Sequence, residues 1–236
     1  MSRVLPRNRA LVVLAAVLVL LPLAGCGTTE HKPKAIDASA FVDKITAAMA
    51  AKKTATLELE LGSSMSATAQ VDYAAAGTEM SMKMVTGSQT VNVVLADGVM
   101  YLQQTKGQKY LKIDKSDPAL GSLLKQVADI GPKAAFDKVK PGIKKIVDAG
   151  TEKIDGEDLT HYVLTIDSSK VSSILGVGAD QAKLPKTITY DVYLDSDNLL
   201  RQLKLEVSGQ KLVMKASNWG KPVTITVPPA SQVMTR

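Results

Sequence analysis

Aromatic side chains are scarce in this sequence. Its 236 residues include two Phe, six Tyr and one Trp, 4% in all. Recognition of nucleic acid by base stacking over a clustered basic patch is excluded on that count, and nucleic acid is not an expected partner. Cysteine occurs once, at Cys26, and histidine twice, at His31 and His161. No disulfide framework and no thiolate zinc site can be assembled from these, and no metal or cofactor is expected. Gly-x-Ser-x-Gly, His-Glu-x-x-His and Walker-type loops are missing, and Gly176-Val177-Gly178 lacks the third glycine of a dinucleotide loop. An enzyme is therefore not expected. Beyond residue 25 no apolar run approaches the roughly 18 residues of a membrane-spanning helix. Strong charge of one sign is lacking too. Arg3, Arg7 and Arg9 account for three of the 29 basic residues, so the chain beyond residue 25 carries about +3 rather than +6.

What is present begins with a leader. The three arginines precede the apolar run Ala10–Leu21, and Pro22 leads into Leu23-Ala24-Gly25-Cys26. A basic start, a short apolar stretch and small residues at a junction read as a secretory signal over residues 1–25. The tetrapeptide resembles a bacterial lipobox. That resemblance implies a diacylglyceryl thioether on Cys26, cleavage before it, and an acyl chain such as palmitate on the new amine. Small side chains let a protease groove close on the backbone, and a thiol is needed as the thioether acceptor. The alternative is an ordinary cleaved signal that leaves Cys26 free. Two or three acyl chains, at ~0.8 kcal/mol per buried methylene, suffice for stable anchoring. The expected location is the extracytoplasmic face of the plasma membrane.

Residues 26–36 read as a lipidated flexible tether, polar and without periodicity. The ten residues Gly27–Ile36 reach at most roughly 35 Å and about 17 Å on average. His31 falls in this solvated stretch. Residues 37–236 read as one domain, long enough for a single well-buried core. Asp37-Ala38-Ser39 offers an N-cap, and Phe41, Ile45, Ala48 and Met49 give a helical stripe to about Lys52. The period then changes to two. Leu57, Leu59 and Leu61; Met80, Met82 and Met84; Val91, Val93 and Leu95; Val99 and Tyr101; and Leu111 and Ile113 alternate with polar residues. Asp97-Gly98 marks one of the turns between them. A second helix is expected from Pro118 to Gly131 and a shorter one over Lys133–Lys140. Lys125, Lys133, Lys138, Lys140, Lys144 and Lys145 there read either as a solvated surface or as one facing anionic headgroups. Strands resume as a hairpin, Ile146–Ile154 and Tyr162–Ile166, around Asp155-Gly156. Val171, Ile174 and Leu175 stand at helical spacing. Three further strands follow around Tyr190 and Val192, Leu203 and Leu205, and Leu212 and Met214, and a last one over Val223–Val227. These elements predict an α+β fold: one long, strongly curved antiparallel sheet with helices across its concave side.

His161 has no Cys or His partner for a metal site and reads as a satisfied strand histidine. Asp191, Asp195 and Asp197 alternate as calcium-binding oxygens do, but without the central Gly and closing Glu of a calcium loop, so a hairpin turn is expected. What remains is an excess of apolar strand face with few aromatics to plug it. Nine Met suit a surface that accepts variable apolar shapes, or they simply pack a core. Periodicity does not separate a hollow interior from a filled one.

Several ordered stretches resemble the LppX/LprA/LprF/LprG lipoproteins of actinobacteria. They are the lipobox, Val99-Met100-Tyr101-Leu102 with Lys109-Tyr110-Leu111-Lys112-Ile113, Gly150-Thr151-Glu152-Lys153-Ile154-Asp155-Gly156 leading to His161-Tyr162, Val192-Tyr193-Leu194-Asp195 with Leu200-Arg201-Gln202-Leu203, and Asn218-Trp219-Gly220-Lys221-Pro222-Val223 before Val227-Pro228-Pro229. The chain departs from the pattern at Tyr110, where such proteins often carry Trp. The resemblance implies a half-barrel, similar to the periplasmic lipoprotein carriers of Gram-negative bacteria, that encloses an apolar cavity. It further implies binding of acylated lipids or glycolipids and their shuttling across the cell envelope, with a membrane exporter as a candidate partner and a monomeric state. The lining expected from the alternating strand residues is Leu57, Leu59, Met80, Met82, Met84, Val93, Tyr101, Leu164, Tyr190, Val192, Leu205 and Met214, with Pro118–Pro141 as an opening lid. The alternative is a surface-anchored structural or signalling lipoprotein with a filled core that binds a protein partner.

Overall fold

A computed structural model describes residues 32–73, 77–114, 116–117, 124, 132–171, 185–207 and 209–234. Asp37 caps the first helix, its Oδ1 accepting the Ala40 N–H at 2.8 Å. That helix, α1 (Ala38–Lys52), buries Phe41, Val42, Ile45, Thr46 and Met49. Lys53 then takes a positive φ of 65° and turns the chain directly into the sheet.

The strands are β1 (Lys34–Ala35), β2 (Thr54–Leu61), β3 (Met65–Asp72), β4 (Glu79–Thr86), β5 (Gln89–Ala96), β6 (Val99–Gln103) and β7 (Tyr110–Ile113), then β8 (Ile143–Ile154) and β9 (Glu157–Asp167). They continue with β10 (Thr187–Leu194), β11 (Leu200–Val207), β12 (Gln210–Ser217) and β13 (Val233–Met234). Among the described residues two further short helices are α2 (Pro132–Val139) and the single turn α3 (Ser168–Val171). All strands join one open sheet in the order β1-β8-β9-β10-β11-β12-β2-β3-β4-β5-β6-β7-β13. Every pairing is antiparallel except β7 with β13. The α+β class and the open, antiparallel-dominated sheet expected from the period-two runs are the ones observed. Asp97-Gly98 and Asp155-Gly156 close their hairpins with positive φ at both residues, the geometry that matches strand twist.

Register sorts the side chains onto two faces. One row of directly opposed residues runs Tyr162, Val192, Leu203, Met214, Leu59, Ala67, Met84 and Val91, apolar from end to end. The neighbouring row on the other face runs His161, Tyr193, Gln202, Lys215, Glu58, Thr68, Lys83, Asn92 and Gln103. The apolar face carries two packed clusters. In the first, Phe41, Ile45 and Met49 of α1 join Ile146, Leu164, Ile166, Ile188, Tyr190 and Val192, with Phe136 and Val139 of α2 against them. Phe41 meets Tyr162 edge-on at 4.9 Å. In the second, Val93, Leu95, Met100 and Ile113 join Leu124, which is fully buried.

Three departures from the sequence expectation have physical causes. Strand β3 was not anticipated, because Ala67 and Ala69 carry too little apolar weight to show an alternation. The strand expected over Val223–Val227 does not form a ladder. Both flanks of β12 are already taken by β11 and β2, leaving no free edge beside it, and Pro222, Pro228 and Pro229 have no N–H to donate. The chain instead runs on to pair Val233 with Tyr110 at the far edge. Finally, Lys34 and Ala35, placed in the tether by sequence, pair with Asp148 and Val147 of β8. The leader, Cys26, the Pro118–Gly131 helix except Leu124, Gly176-Val177-Gly178, and Ile174 and Leu175 lie outside the described residues.

Candidate functional site

Between the two clusters the apolar face changes character. Leu57, Leu59 and Leu61 on β2, Met65 on β3 and Met84 on β4 belong to neither cluster and are only half-buried. Two opposed rows cross this gap: Leu59–Ala67–Met84 and Leu57–Ala69–Met82. In each, an alanine stands between longer side chains. Ala67 and Ala69 are 8% and 7% exposed, beneath neighbours that reach past them. The two alanines make a low strip along β3, a furrow in the profile of the side chains, with Leu on one side and Met on the other. Packed interiors bury such side chains fully; here the walls are only half-buried. Sequence reasoning found the walls but not the floor, since alanine in a strand carries no distinctive signal.

The residues expected to line a cavity divide into four groups. Leu57, Leu59, Met82, Met84 and Met214 are half-buried on the apolar face at or beside the furrow. Met80 and Val93 lie on the same face within the second cluster. Leu164, Tyr190, Val192 and Leu205 are buried in the cluster with α1, so the protein's own helix already covers them. Tyr101 is a correction. It stands opposite Val94 and Lys112, while its neighbours Met100 and Leu102 face the furrow side. The apolar phase of β6 is Met100 and Leu102 rather than Val99 and Tyr101, and one residue of phase turns a side chain to the opposite face.

The other face is polar and largely self-neutralised. His161 Nδ1 lies 2.7 Å from Glu152 Oε1, and its Nε2 lies 2.8 Å from Asp191 Oδ1. Its ring stacks on Tyr193 at 4.5 Å, and Lys204 Nζ sits 4.7 Å over the Tyr193 ring. Both imidazole nitrogens are thus held by carboxylates, which leaves neither to activate a nucleophile. Asp195 Oδ1 accepts from the Asp197 and Leu199 N–H groups, so the alternating acids build a turn. A pocket of about 250 Å³ nearby has Ile154, Leu159 and Ala216 as its apolar part, but seven of its ten lining residues are polar, among them Glu58, Glu157, Arg201, Gln202 and Lys215. Arg201 is paired with Glu157 at 2.8 Å and Lys215 with Asp155 at 2.7 Å. Gln202, 5% exposed, leaves its Oε1 without a partner there. Such a lining is unsuited to an acyl chain, which offers no groups to replace those hydrogen bonds.

Burial pushes the Tyr193 hydroxyl up to about 12, with the charges of Glu152 and Asp191 adding to it. Burial alone pushes Tyr73 up to about 12. Both are raised above the unfolded value of 10, so their contribution to stability is complete below pH 10 and is lost as pH climbs toward 12. Within that window the folded chain is expected to show less tyrosinate absorbance than the same chain in denaturant. Equal absorbance in the two states would contradict the burial of these rings.

An open antiparallel sheet with helices on one face and half-buried apolar side chains between two packed clusters defines an α+β half-barrel scaffold. Residues 37–225 match the LppX_LprAFG lipoprotein family, and the chain belongs to that family. Among solved structures it is similar to LprF from Mycobacterium bovis, with a TM-score of 0.58 and 16% identity over 81% of this chain and 96% of that one. It is equally similar to the lipoprotein LppX of Mycobacterium tuberculosis, with a TM-score of 0.59 and 16% identity over 80% and 98% of the two chains. At that identity the likeness concerns the fold. A search of curated proteins returned no match. No described helix is long and apolar enough to cross a membrane.

Proposed function

We propose that this chain is an envelope lipoprotein, anchored in the plasma membrane through acylated Cys26, that takes up the acyl chains of a lipid or glycolipid and shuttles them across the envelope. The observation that carries this reading is the furrow. Leu57, Leu59, Leu61, Met65 and Met84 keep apolar surface half-exposed over a floor of alanines, where a folded chain would ordinarily bury it. An acyl chain laid there removes apolar area from water on both partners, at ~25 cal/mol per Å² and ~0.8 kcal/mol per methylene. Methionine walls adapt to chains of different length and branching. Membership of a lipoprotein family supports the Cys26 anchor and an extracytoplasmic, plasma-membrane location. The protein acts as a monomer without catalysis, with donor and acceptor membranes and an exporter as partners.

Mass spectrometry of the natively purified chain from residue 27 onward tests this reading. A co-purified acyl lipid is expected, together with uptake of a fluorescent fatty acid by the delipidated protein. A lipid-free protein that takes up no probe would sink the carrier reading and leave an anchored domain that binds a protein partner.

A further inference from the structure

The lysines between Lys133 and Lys145 do not stand alone in the fold. Gly142 packs so closely against α3 that a Cβ added to it would lie 3.2 Å from Lys170 Cβ and 3.1 Å from Val171. The Ser168 N–H donates to the Lys186 carbonyl at 3.2 Å, which brings the start of β10 to the same place. Lys145 stands opposite Thr165 near the end of β9. Five segments separated in sequence therefore converge at one end of the sheet: the first half of α1, α2 with the turn after it, the start of β8, α3, and the start of β10. Four of them contribute the following lysines to that end: Lys133, Lys138 and Lys140 on α2 and its turn, Lys144 and Lys145 on β8, Lys170 on α3, and Lys186 just before β10.

The charge balance there is uneven. The carboxylates that meet these lysines are Asp137 with Lys133, Asp43 at 3.9 Å from Lys140, and Asp167 at 3.1 Å from Lys144. Among the described residues at this end, these seven lysines meet three carboxylates, in a chain whose excess beyond residue 25 is only about +3. On the polar face, by contrast, Lys215 stands opposite Glu58 and Asp155 pairs with it, so signs alternate. Lys138, Lys145, Lys170 and Lys186 are exposed.

We infer that this lysine end is the surface that lies on the anionic headgroups of a bilayer. The inference rests on reading the chain as a membrane-anchored lipoprotein. Each lysine near such a surface strengthens binding several-fold, and the effect falls off within a Debye length of about 8 Å at physiological salt. The tether permits the orientation. Lys34 pairs with Asp148, four residues along β8 from Lys144, which is roughly 13 Å. The eight residues from Cys26 to Lys34 reach up to roughly 28 Å. The patch would seat the domain at the donor membrane, where a lipid has to leave the bilayer.

The test is sedimentation of the chain from residue 27 onward, without its acyl anchor, with vesicles of equal parts phosphatidylglycerol and phosphatidylcholine, or of phosphatidylcholine alone. Binding to the anionic vesicles only, weakening with added salt, is expected. The combined variant Lys138→Glu, Lys145→Glu, Lys170→Glu and Lys186→Glu should lose on the order of 100-fold in that binding. A control with Lys52→Glu, Lys83→Glu, Lys112→Glu and Lys211→Glu has the same net charge and should lose little. Equal losses in the two variants would overturn the proposal in favour of non-localised charge attraction, and no binding by the unsubstituted chain would overturn it outright. Uptake of a fluorescent fatty acid, followed in the same variants without vesicles, is expected to be unchanged. Its absence would count against the carrier reading alone.

Discussion

Cells fed a labelled fatty acid are expected to place the label on this chain, and Cys26→Ala should abolish it entirely. The expectation is all-or-none because the sequence contains a single thiol. Two acyl chains at ~0.8 kcal/mol per methylene hold a protein on a bilayer essentially without release. Intact-mass measurement makes the same point independently. The mature chain should begin at Cys26 and carry the mass of its acyl groups, whereas the alanine variant carries none. An unmodified wild-type chain, or a label that survives the substitution, would remove the anchor from the proposal.

Filling the furrow is expected to have the second-largest effect. Ala69→Phe and Ala67→Phe each place a ring between the Leu and Met walls, where the structure leaves only a methyl group. A ring there displaces three or four methylenes of a bound acyl chain. At ~0.8 kcal/mol each, the loss is on the order of 100-fold in affinity for a fatty-acid probe. In a furrow the ring extends past the half-buried walls toward water, and stability should change by less than about 1 kcal/mol. A solid interior would respond oppositely, with overpacking costing about 1–3 kcal/mol and no probe binding to lose. Denaturation midpoints measured beside probe titrations therefore separate a furrow from a filled core. A Met82→Lys substitution on the same wall provides a polar companion. Loss of probe binding is expected, and destabilisation with binding intact would argue for a packing role.

Helix α1 and the hairpins around Asp97-Gly98 and Asp155-Gly156 were legible because their signals are local: a cap with an apolar stripe, and a turn dipeptide between alternating runs. The Leu57–Leu61 and Met80–Met84 alternations likewise announced which residues share a face. Strand β3 was not legible, since Ala67 and Ala69 look the same whether they line a furrow, fill a core or face water. The stretch Val223–Val227 alternates as a strand does, but a ladder also needs a free neighbour, and β12 had none to offer. Tyr101 illustrates the smallest such error, one residue of phase along β6 and the opposite face of the sheet.

By itself the sequence determined the α+β class, the period of most strands and the residues able to make an apolar wall. These follow from chemistry within a few residues of one another, which the chain carries into any environment. Only the tertiary structure decided which apolar residues the helices cover, as they do Leu164, Tyr190, Val192 and Leu205, and which remain half-exposed beside the alanine floor. It also decided that lysines from four separate segments meet at one end. Both outcomes depend on contacts between residues far apart in the chain, whose identity is set by strand order and helix placement rather than by any local pattern.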